Sequence, residues 1–146
     1  MSLKVLLVSY DNGSYDHVFP MGLGAISAIL KRDGHEFDVW SQDMHHWPDD
    51  YLRTYLDNNK YDVVILSLIA GYYQYQKMKN LSKAINNSKN RPIYIMGGYG
   101  PTPEPEFFIK KSGCDLVAMG EGEVTVSKLM DAIENKTSFK KVPGIA

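Results

Sequence analysis

The amino-acid sequence predicts an α/β domain built around a parallel sheet. Short apolar runs alternate along the chain with segments that repeat hydrophobic residues at helical spacing, and this alternation is typical of parallel sheets. Of the 146 residues, 44% are hydrophobic and 23% are charged, which suffices for one domain with its own core. Because the sequence shows no internal repeat or linker, we expect a single domain over residues 1–146.

Five strands and five helices are expected in order. The predicted strands are residues 4–9, 36–40, 62–68, 92–96 and 115–119. Apolar residues at helical spacing predict helices over residues 23–30, 51–56, 78–85 and 126–133. A shorter helix is predicted to begin near Thr102, with Thr102 as the N-cap and Pro103 in the first helical position. Gly34 is placed to end the first helix in a left-handed conformation.

The order of the strands follows from which of them are apolar throughout. Residues 5–8 and 63–66 are apolar without interruption, which indicates strands buried on both faces, whereas residues 37–40 alternate as an edge strand does. This favours the flavodoxin-like order 2-1-3-4-5 over the dinucleotide-binding order, in which the third strand is outermost. The fold class is therefore a Rossmann-like, three-layer, doubly wound domain with a five-stranded parallel sheet. A ligand crevice is expected where the loops 10–20, 67–73, 97–103 and 120–123 follow the strands.

Composition excludes several classes of partner. A net charge of −1 argues against a nucleic-acid surface, and no apolar run approaches the roughly 20 residues of a membrane span. The single cysteine, Cys114, is interpreted as a small buried residue at a strand start. With no signal-peptide pattern at the N-terminus, the cytoplasm is the expected compartment.

Familiar nucleotide and metal motifs fit poorly. Gly22-Leu23-Gly24 begins a dinucleotide motif, but Ser27 stands where the third glycine belongs. Ser67 occupies the end of the third strand, where a phosphoreceiver needs an acid. The adjacent residues His45 and His46 are interpreted as part of a solvated loop. Glu121 and Glu123 are either an acid/base pair or, as we favour, acidic residues near the N-terminus of the last helix.

A different set of motifs, at four strand ends in order, carries a resemblance. The segments are PMGLGAISAILKRDGHE after the first strand, Ser67-Leu68-Ile69 after the third, MGGYGPTPEPE after the fourth and GEGE after the fifth, with VPGIA at the end. Together they resemble the cobalamin-binding domain, specifically the N-terminal domain of cobalamin-dependent radical S-adenosylmethionine enzymes of the methyltransferase or oxidative-cyclase type.

The resemblance implies cobalamin as the cofactor, with small residues leaving a slot for its nucleotide tail. The cofactor-binding residues that it implies are Tyr10, His17, Phe19, Gly22, Gly24, Ala25, Ser67, Leu68, Ile69, Tyr72, Gly97, Gly98, Tyr99, Pro101, Gly120, Glu121 and Gly122. It also implies a longer parent protein whose C-terminal radical domain carries an iron–sulfur cluster and S-adenosylmethionine. The chain holds no CxxxCxxC motif, so by itself it is expected to bind cofactor without turnover.

One departure from the family pattern concerns the cobalt ligand. Aligning the signature on Gly22 places the signature Asp on His17 and the signature His on Phe19. Because Phe19 carries no imidazole, the usual lower ligand is expected to be absent, with His17 the remaining alternative. From another functional class, the alternative hypothesis is a flavodoxin-like domain that binds another nucleotide or docks a protein.

Overall fold

The computed structural model describes residues 2–13, 16–17, 20–69 and 72–146, with Tyr72 described through its backbone alone. Its elements run β1 Lys4–Ser9, α1 Met21–Arg32, β2 Glu36–Ser41, α2 Gln42–His45, α3 Tyr51–Asn58, β3 Val63–Ser67, α4 Tyr72–Asn86, β4 Ile93–Gly97, α5 Pro105–Ser112, β5 Leu116–Ala118 and α6 Glu123–Glu134. A short 3₁₀ turn, Phe139–Lys141, follows α6.

The sheet has the predicted order β2-β1-β3-β4-β5, with every neighbouring pair parallel. Strand β1 lies between β2 and β3 because the crossover direction reverses there, which is the doubly wound arrangement. At the far edge, Ile145 forms an antiparallel bridge with Ala118 of β5. The flavodoxin-like, three-layer architecture expected from the sequence is thus confirmed.

Side-chain alternation along the central strands divides the core into two halves. Even-numbered residues such as Leu6 and Leu66 pack with α3, α4 and α5 on one face. Odd-numbered residues such as Leu7 and Ile65 pack with α1 and α6 on the other. Because β1 and β3 are buried on both faces, they need the uninterrupted apolar runs that identified them as interior strands.

The helix between β4 and β5 begins later than predicted. It starts at Pro105, which takes the first helical position, and Glu104 rather than Thr102 precedes it. Thr102 is therefore not its N-cap, because the Thr102 hydroxyl hydrogen-bonds to Gly98 and Gly120 instead. The helix ends at Ser112 and is followed by Gly113 in the left-handed region.

Several smaller expectations are settled by the structure. Gly34 follows α1 with φ +82°, and Cys114 is buried, both as predicted. His45 and His46 do not form a simple solvated loop: His45 ends the short helix α2 and stacks on Trp47, and His46 caps that helix. In the described part of the chain, no helix combines the length and apolarity needed to cross a membrane.

Candidate functional site

A cleft opens at the carboxyl edge of the sheet, between the N-terminal turns of α1 and α6. Its volume is about 340 Å³, within the range of small-molecule pockets. It lies on the sheet face covered by α1 and α6, because its strand residues Ile65, Ser67 and Gly97 all point to that face. The lining residues are Met21, Gly22, Leu23, Ala25, Ile26, Ile65, Ser67, Gly97, Gly98, Tyr99, Ala118, Gly120, Glu121, Gly122, Glu123 and Val126.

Small residues at three strand ends form the floor of the cleft. Ser67, Gly97 and Ala118 stand in register on β3, β4 and β5, so that they form one row across the sheet. A row of small side chains leaves room above the sheet that larger residues would fill. These three positions therefore contribute to the open space on the sheet side of the cleft.

The deeply buried part of the cleft lining is apolar. Its buried lining residues all carry apolar side chains: Leu23, Ile26, Ile65, Ala118 and Val126. The polar side chains of Ser67, Glu121 and Glu123 are intermediate or exposed. A ligand group that enters the cleft therefore meets mostly apolar side chains, with the Ser67 hydroxyl on the floor as a polar group.

The glycines around the cleft are there for two different physical reasons. A Cβ on Gly22 would meet nothing within 4 Å, and one on Gly97 would meet only Ala118, at 3.7 and 3.9 Å. By contrast, Gly98 has φ +103° and its Cβ would lie 2.3 Å from the Leu68 carbonyl oxygen. Gly98 is thus required by the fold, whereas Gly22 and Gly97 keep open space that the protein itself does not use.

The start of α1 presents an unneutralised helix end to the cleft. Pro20 precedes the helix without a side-chain cap, and the first turn carries no acidic residue. The first amides of a helix carry partial positive charge, which favours a negatively charged or hydrogen-bond-accepting group nearby. Helix α6, on the other side, begins with Glu123, and its N-cap residue Gly122 provides no side-chain cap.

Nine of the residues implied by the resemblance come together in this cleft. They are Gly22, Ala25, Ser67, Gly97, Gly98, Tyr99, Gly120, Glu121 and Gly122. Tyr99 is 81% exposed and stands at the rim.

The remaining implied residues lie elsewhere. Tyr10 and Leu68 are buried in the core on the opposite face of the sheet. Ile69 is exposed and Pro101 is buried, neither of them in the cleft lining, and Gly24 stands in α1 just outside that lining. Phe19 and the side chain of Tyr72 lie outside the described part of the chain.

Sequence reasoning missed the apolar half of the lining. Leu23, Ile26 and Val126 were recognised only as core positions of their helices, and Ile65 as an interior strand residue. The signal that identifies them is their position: Leu23, Ile26 and Val126 lie near the starts of α1 and α6, and Ile65 lies two residues before Ser67 on β3. A small residue at the end of three adjacent strands is the pattern that reveals the floor.

His17 is held away from the cleft by the neighbouring loop. Its Nδ1 donates to the Asp43 carbonyl oxygen at 3.0 Å, and its ring lies 6.0 Å from the ring of His46. His46 Nδ1 in turn contacts Asp11 Oδ2 at 2.8 Å. Burial acts to raise the pKa of Asp11, but hydrogen bonds from His46 and the Gly13 amide outweigh it and lower that pKa. Within the described residues, no group of three or more His, Cys, Asp or Glu side chains is placed to hold a metal ion.

Comparison with known proteins agrees with this geometry. Residues 13–130 match the family model described as the B12 binding domain. The chain belongs to the B12-binding domain family. The matched range contains α1, the cleft floor and most of α6, so the family match covers the site described above.

Curated relatives of this B12-binding domain are enzymes much longer than the chain. Cytidylyl-2-hydroxyethylphosphonate methyltransferase of Streptomyces wedmorensis is 27% identical over 165 residues, covering 98% of the chain and 31% of that protein. Anaerobic magnesium-protoporphyrin IX monomethyl ester cyclase of Synechocystis is 42% identical over 55 residues, 37% of the chain and 11% of that protein. The chain thus spans less than a third of the length of these relatives.

Solved structures share the fold over nearly the whole chain. TsrM from Kitasatospora setae, a radical S-adenosylmethionine methyltransferase solved with cobalamin and a 4Fe–4S cluster, superimposes with a TM-score of 0.86 at 19% identity, covering 99% of the chain and 27% of TsrM. The cobalamin-dependent radical enzyme OxsB, solved with aqua-cobalamin and S-adenosylmethionine, gives 0.80 at 18% identity, covering 99% of the chain and 20% of OxsB. At such identities the likeness establishes the shared fold.

Proposed function

We propose that this B12-binding domain holds cobalamin at the carboxyl edge of its sheet, with the nucleotide tail of the cofactor in the cleft between α1 and α6. The observation that carries the proposal is the open space at Gly22 and Gly97, where an added Cβ would meet little or no protein. Space that the fold does not need, on the floor of the cleft at Gly97 and beside the first turn of α1 at Gly22, fits a ligand that approaches the backbone closely.

Two groups of lining residues would contact the nucleotide tail in different ways. The apolar group Leu23, Ile26, Ile65, Ala118 and Val126 would contact the buried end of the tail. Ser67 and the backbone amides at the start of α1 would supply hydrogen bonds to its polar part. Bound cobalamin would supply a cobalt centre able to carry a methyl group, and the chain's residues would orient that centre and shield its tail from water.

The proposal extends to a longer parent protein. The relatives include a methyltransferase and a cyclase, and the chain spans 31% and 11% of their lengths. We infer that the chain is the cofactor module of a radical S-adenosylmethionine methyltransferase or cyclase, whose C-terminal radical domain would carry the iron–sulfur cluster and S-adenosylmethionine. The cytoplasm is the inferred compartment, on the ground that the chain has one unpaired cysteine.

The proposal also includes a cobalt without a histidine from this chain. When the family signature is aligned on Gly22, Phe19 falls at the signature histidine position, and its side chain has no nitrogen to offer. His17 donates its Nδ1 proton to Asp43 and is not among the residues that line the cleft. Both facts favour a lower face of the corrin that receives no imidazole from the β1–α1 loop.

The direct test is retention of cofactor by the purified chain. The chain is mixed with hydroxocobalamin, desalted and scanned in the visible range, with a parallel sample mixed with flavin mononucleotide. Corrin absorbance near one equivalent per chain supports the proposal. Loss of all corrin absorbance, with or without retained flavin, would refute it and leave the alternative of another nucleotide or a docking role.

A further inference from the structure

Thr102 joins two of the loops that form the cleft. These are the β4–α5 loop, residues 98–104, and the β5–α6 loop, residues 119–122. The Thr102 hydroxyl donates to the Gly98 carbonyl oxygen at 2.8 Å and accepts from the Gly120 amide at 3.0 Å. Gly98 and Gly120 both line the cleft, so one hydroxyl group connects its two rims.

We propose that Thr102 is a positioning residue for the cofactor cleft, an inference that rests on the proposed function. By holding Gly98 and Gly120 at a fixed separation, it keeps the mouth of the cleft in the shape that admits the cobalamin tail. Across the part of the chain that the structure describes, no other hydrogen bond joins these two loops. Beyond the β4–β5 pairing that ends at Gly97 and Ala118, the Thr102 hydroxyl is thus the hydrogen-bonded link between the two rims.

The backbone of both loops needs such a restraint. Gly98 and Gly120 have φ values of +103° and +72°, and glycine reaches many other conformations at little cost. A Cβ at Gly120 would meet nothing within 4 Å, so side-chain packing does not fix that residue either. A hydrogen bond to its amide is then the available means of holding it, and β-branched threonine presents the hydroxyl with few rotamers.

Thr102 also connects the β5–α6 loop, through the β4–α5 loop, to the end of the central strand β3. The β4–α5 loop is tied to the end of β3 by the Gly100 amide, which donates to the Leu68 carbonyl oxygen at 3.0 Å. A Cβ at Gly98 would lie 2.3 Å from the same Leu68 carbonyl oxygen, so the two backbones pass close to each other there. Through Thr102, the β5–α6 loop is attached to the end of β3, in addition to the hydrogen bond from the Met119 amide to the Gly144 carbonyl oxygen at 2.7 Å.

Thr102 does not cap helix α5, so its role in the cleft is distinct from that of a helix cap. Helix α5 begins at Pro105, after Glu104, and its first turn is closed by the Phe108 amide donating to the Glu104 carbonyl oxygen at 3.3 Å. Thr102 takes no part in that turn. Removing its hydroxyl is therefore expected to loosen the rims while leaving α5 in place.

The test compares Thr102→Val, which keeps the shape and removes both hydrogen bonds, with Thr102→Ser, which restores the hydroxyl. Thr137→Val, at an exposed position after α6, is the matched control. Three quantities are measured: Kd for hydroxocobalamin by visible titration, hydrogen exchange of the Gly120 amide by NMR, and thermal unfolding. Thr102→Ala serves as the second variant if the valine variant does not fold.

We expect Thr102→Val to weaken cobalamin binding by about 5- to 30-fold, since two hydrogen bonds that preorganise the cleft are lost. The Gly120 amide should exchange at least about tenfold faster, whereas the serine and Thr137→Val variants stay close to the unmodified chain.

The failures of the two proposals are distinguishable. Cobalamin affinity unchanged in Thr102→Val, while the unmodified chain binds well, overturns the positioning role. Unchanged Gly120 exchange in that variant also overturns it. An unmodified chain that binds no cobalamin refutes the proposed function, and the positioning role is refuted with it.

Discussion

Replacing Gly97 with alanine should stabilise the fold and weaken cofactor binding at the same time. An added Cβ meets Ala118 at ordinary contact distances of 3.7 and 3.9 Å, so the fold accepts it. Alanine in place of glycine inside a strand is worth roughly 0.5–1 kcal/mol, which for a domain of this size raises Tm by about 1–4 °C. The same methyl group occupies the cleft floor, where an overpacking cost of about 1–3 kcal/mol would raise the Kd for cobalamin by roughly 5- to 150-fold.

The neighbouring glycine provides the contrast. At Gly98 a Cβ would lie 2.3 Å from the Leu68 carbonyl oxygen, at φ +103°. Gly98→Ala should therefore lose about 2 kcal/mol or more of stability, since a left-handed non-glycine residue and a backbone contact both cost energy. Thermal unfolding by circular dichroism and visible titration with hydroxocobalamin measure both effects. A Gly97→Ala variant that is destabilised like Gly98→Ala, or that binds cobalamin as tightly as the unmodified chain, would contradict the assignment of the cleft floor.

Three further outcomes are expected. Electron paramagnetic resonance of the Co(II) form should show no nitrogen splitting from a protein histidine, and His17→Ala should leave the signal unchanged; splitting that disappears in this variant would make His17 the ligand. Hydrogen bonds from Arg32 and Ser127 lower the pKa of Asp33 from 3.8 to about 2, so its contribution to stability is present above pH 3.8 and is lost as pH falls toward 2. Asp33→Asn should flatten the fall of Tm over that interval, and an unchanged slope would show that the ion pair contributes nothing. Burial raises the pKa of the Cys114 thiol, so a thiol reagent at neutral pH should label it only after unfolding; rapid labelling of the folded chain would contradict its place in the core.

The strand order was predictable because a strand that is buried on both faces has an uninterrupted run of apolar residues. Residues 5–8 and 63–66 are buried on both faces, and no polar residue interrupts them. The start of α5 was not predictable in the same way. Thr102-Pro103 and Glu104-Pro105 both place a proline where a helix can start. The Thr102 hydroxyl bonds to Gly98 and Gly120, which both lie outside the helix, so the sequence around the helix start does not show which of the two is used.

The candidate site was predictable in its position and less so in its members. Tyr10 and Leu68 follow Ser9 and Ser67 directly, so strand alternation places them on the face opposite the cleft. Their position outside the cleft could therefore have been predicted from the sequence. The different roles of Gly97 and Gly98 could not be predicted from the sequence. Only the position of the Leu68 carbonyl oxygen distinguishes a glycine that the fold requires from one that leaves space for a ligand.

The central claim is that the cleft receives the nucleotide tail, and comparing cobalamin with cobinamide, which lacks the tail, tests it most directly. If the tail buries about 100 Å² of apolar surface in the cleft, at about 25 cal/mol/Å² the gain is roughly 2.5 kcal/mol, or about 70-fold in Kd. Visible titrations of the same chain with both corrinoids measure the ratio. We expect cobalamin to bind at least about 30-fold more tightly, and equal affinity for the two would show that the cleft does not hold the tail.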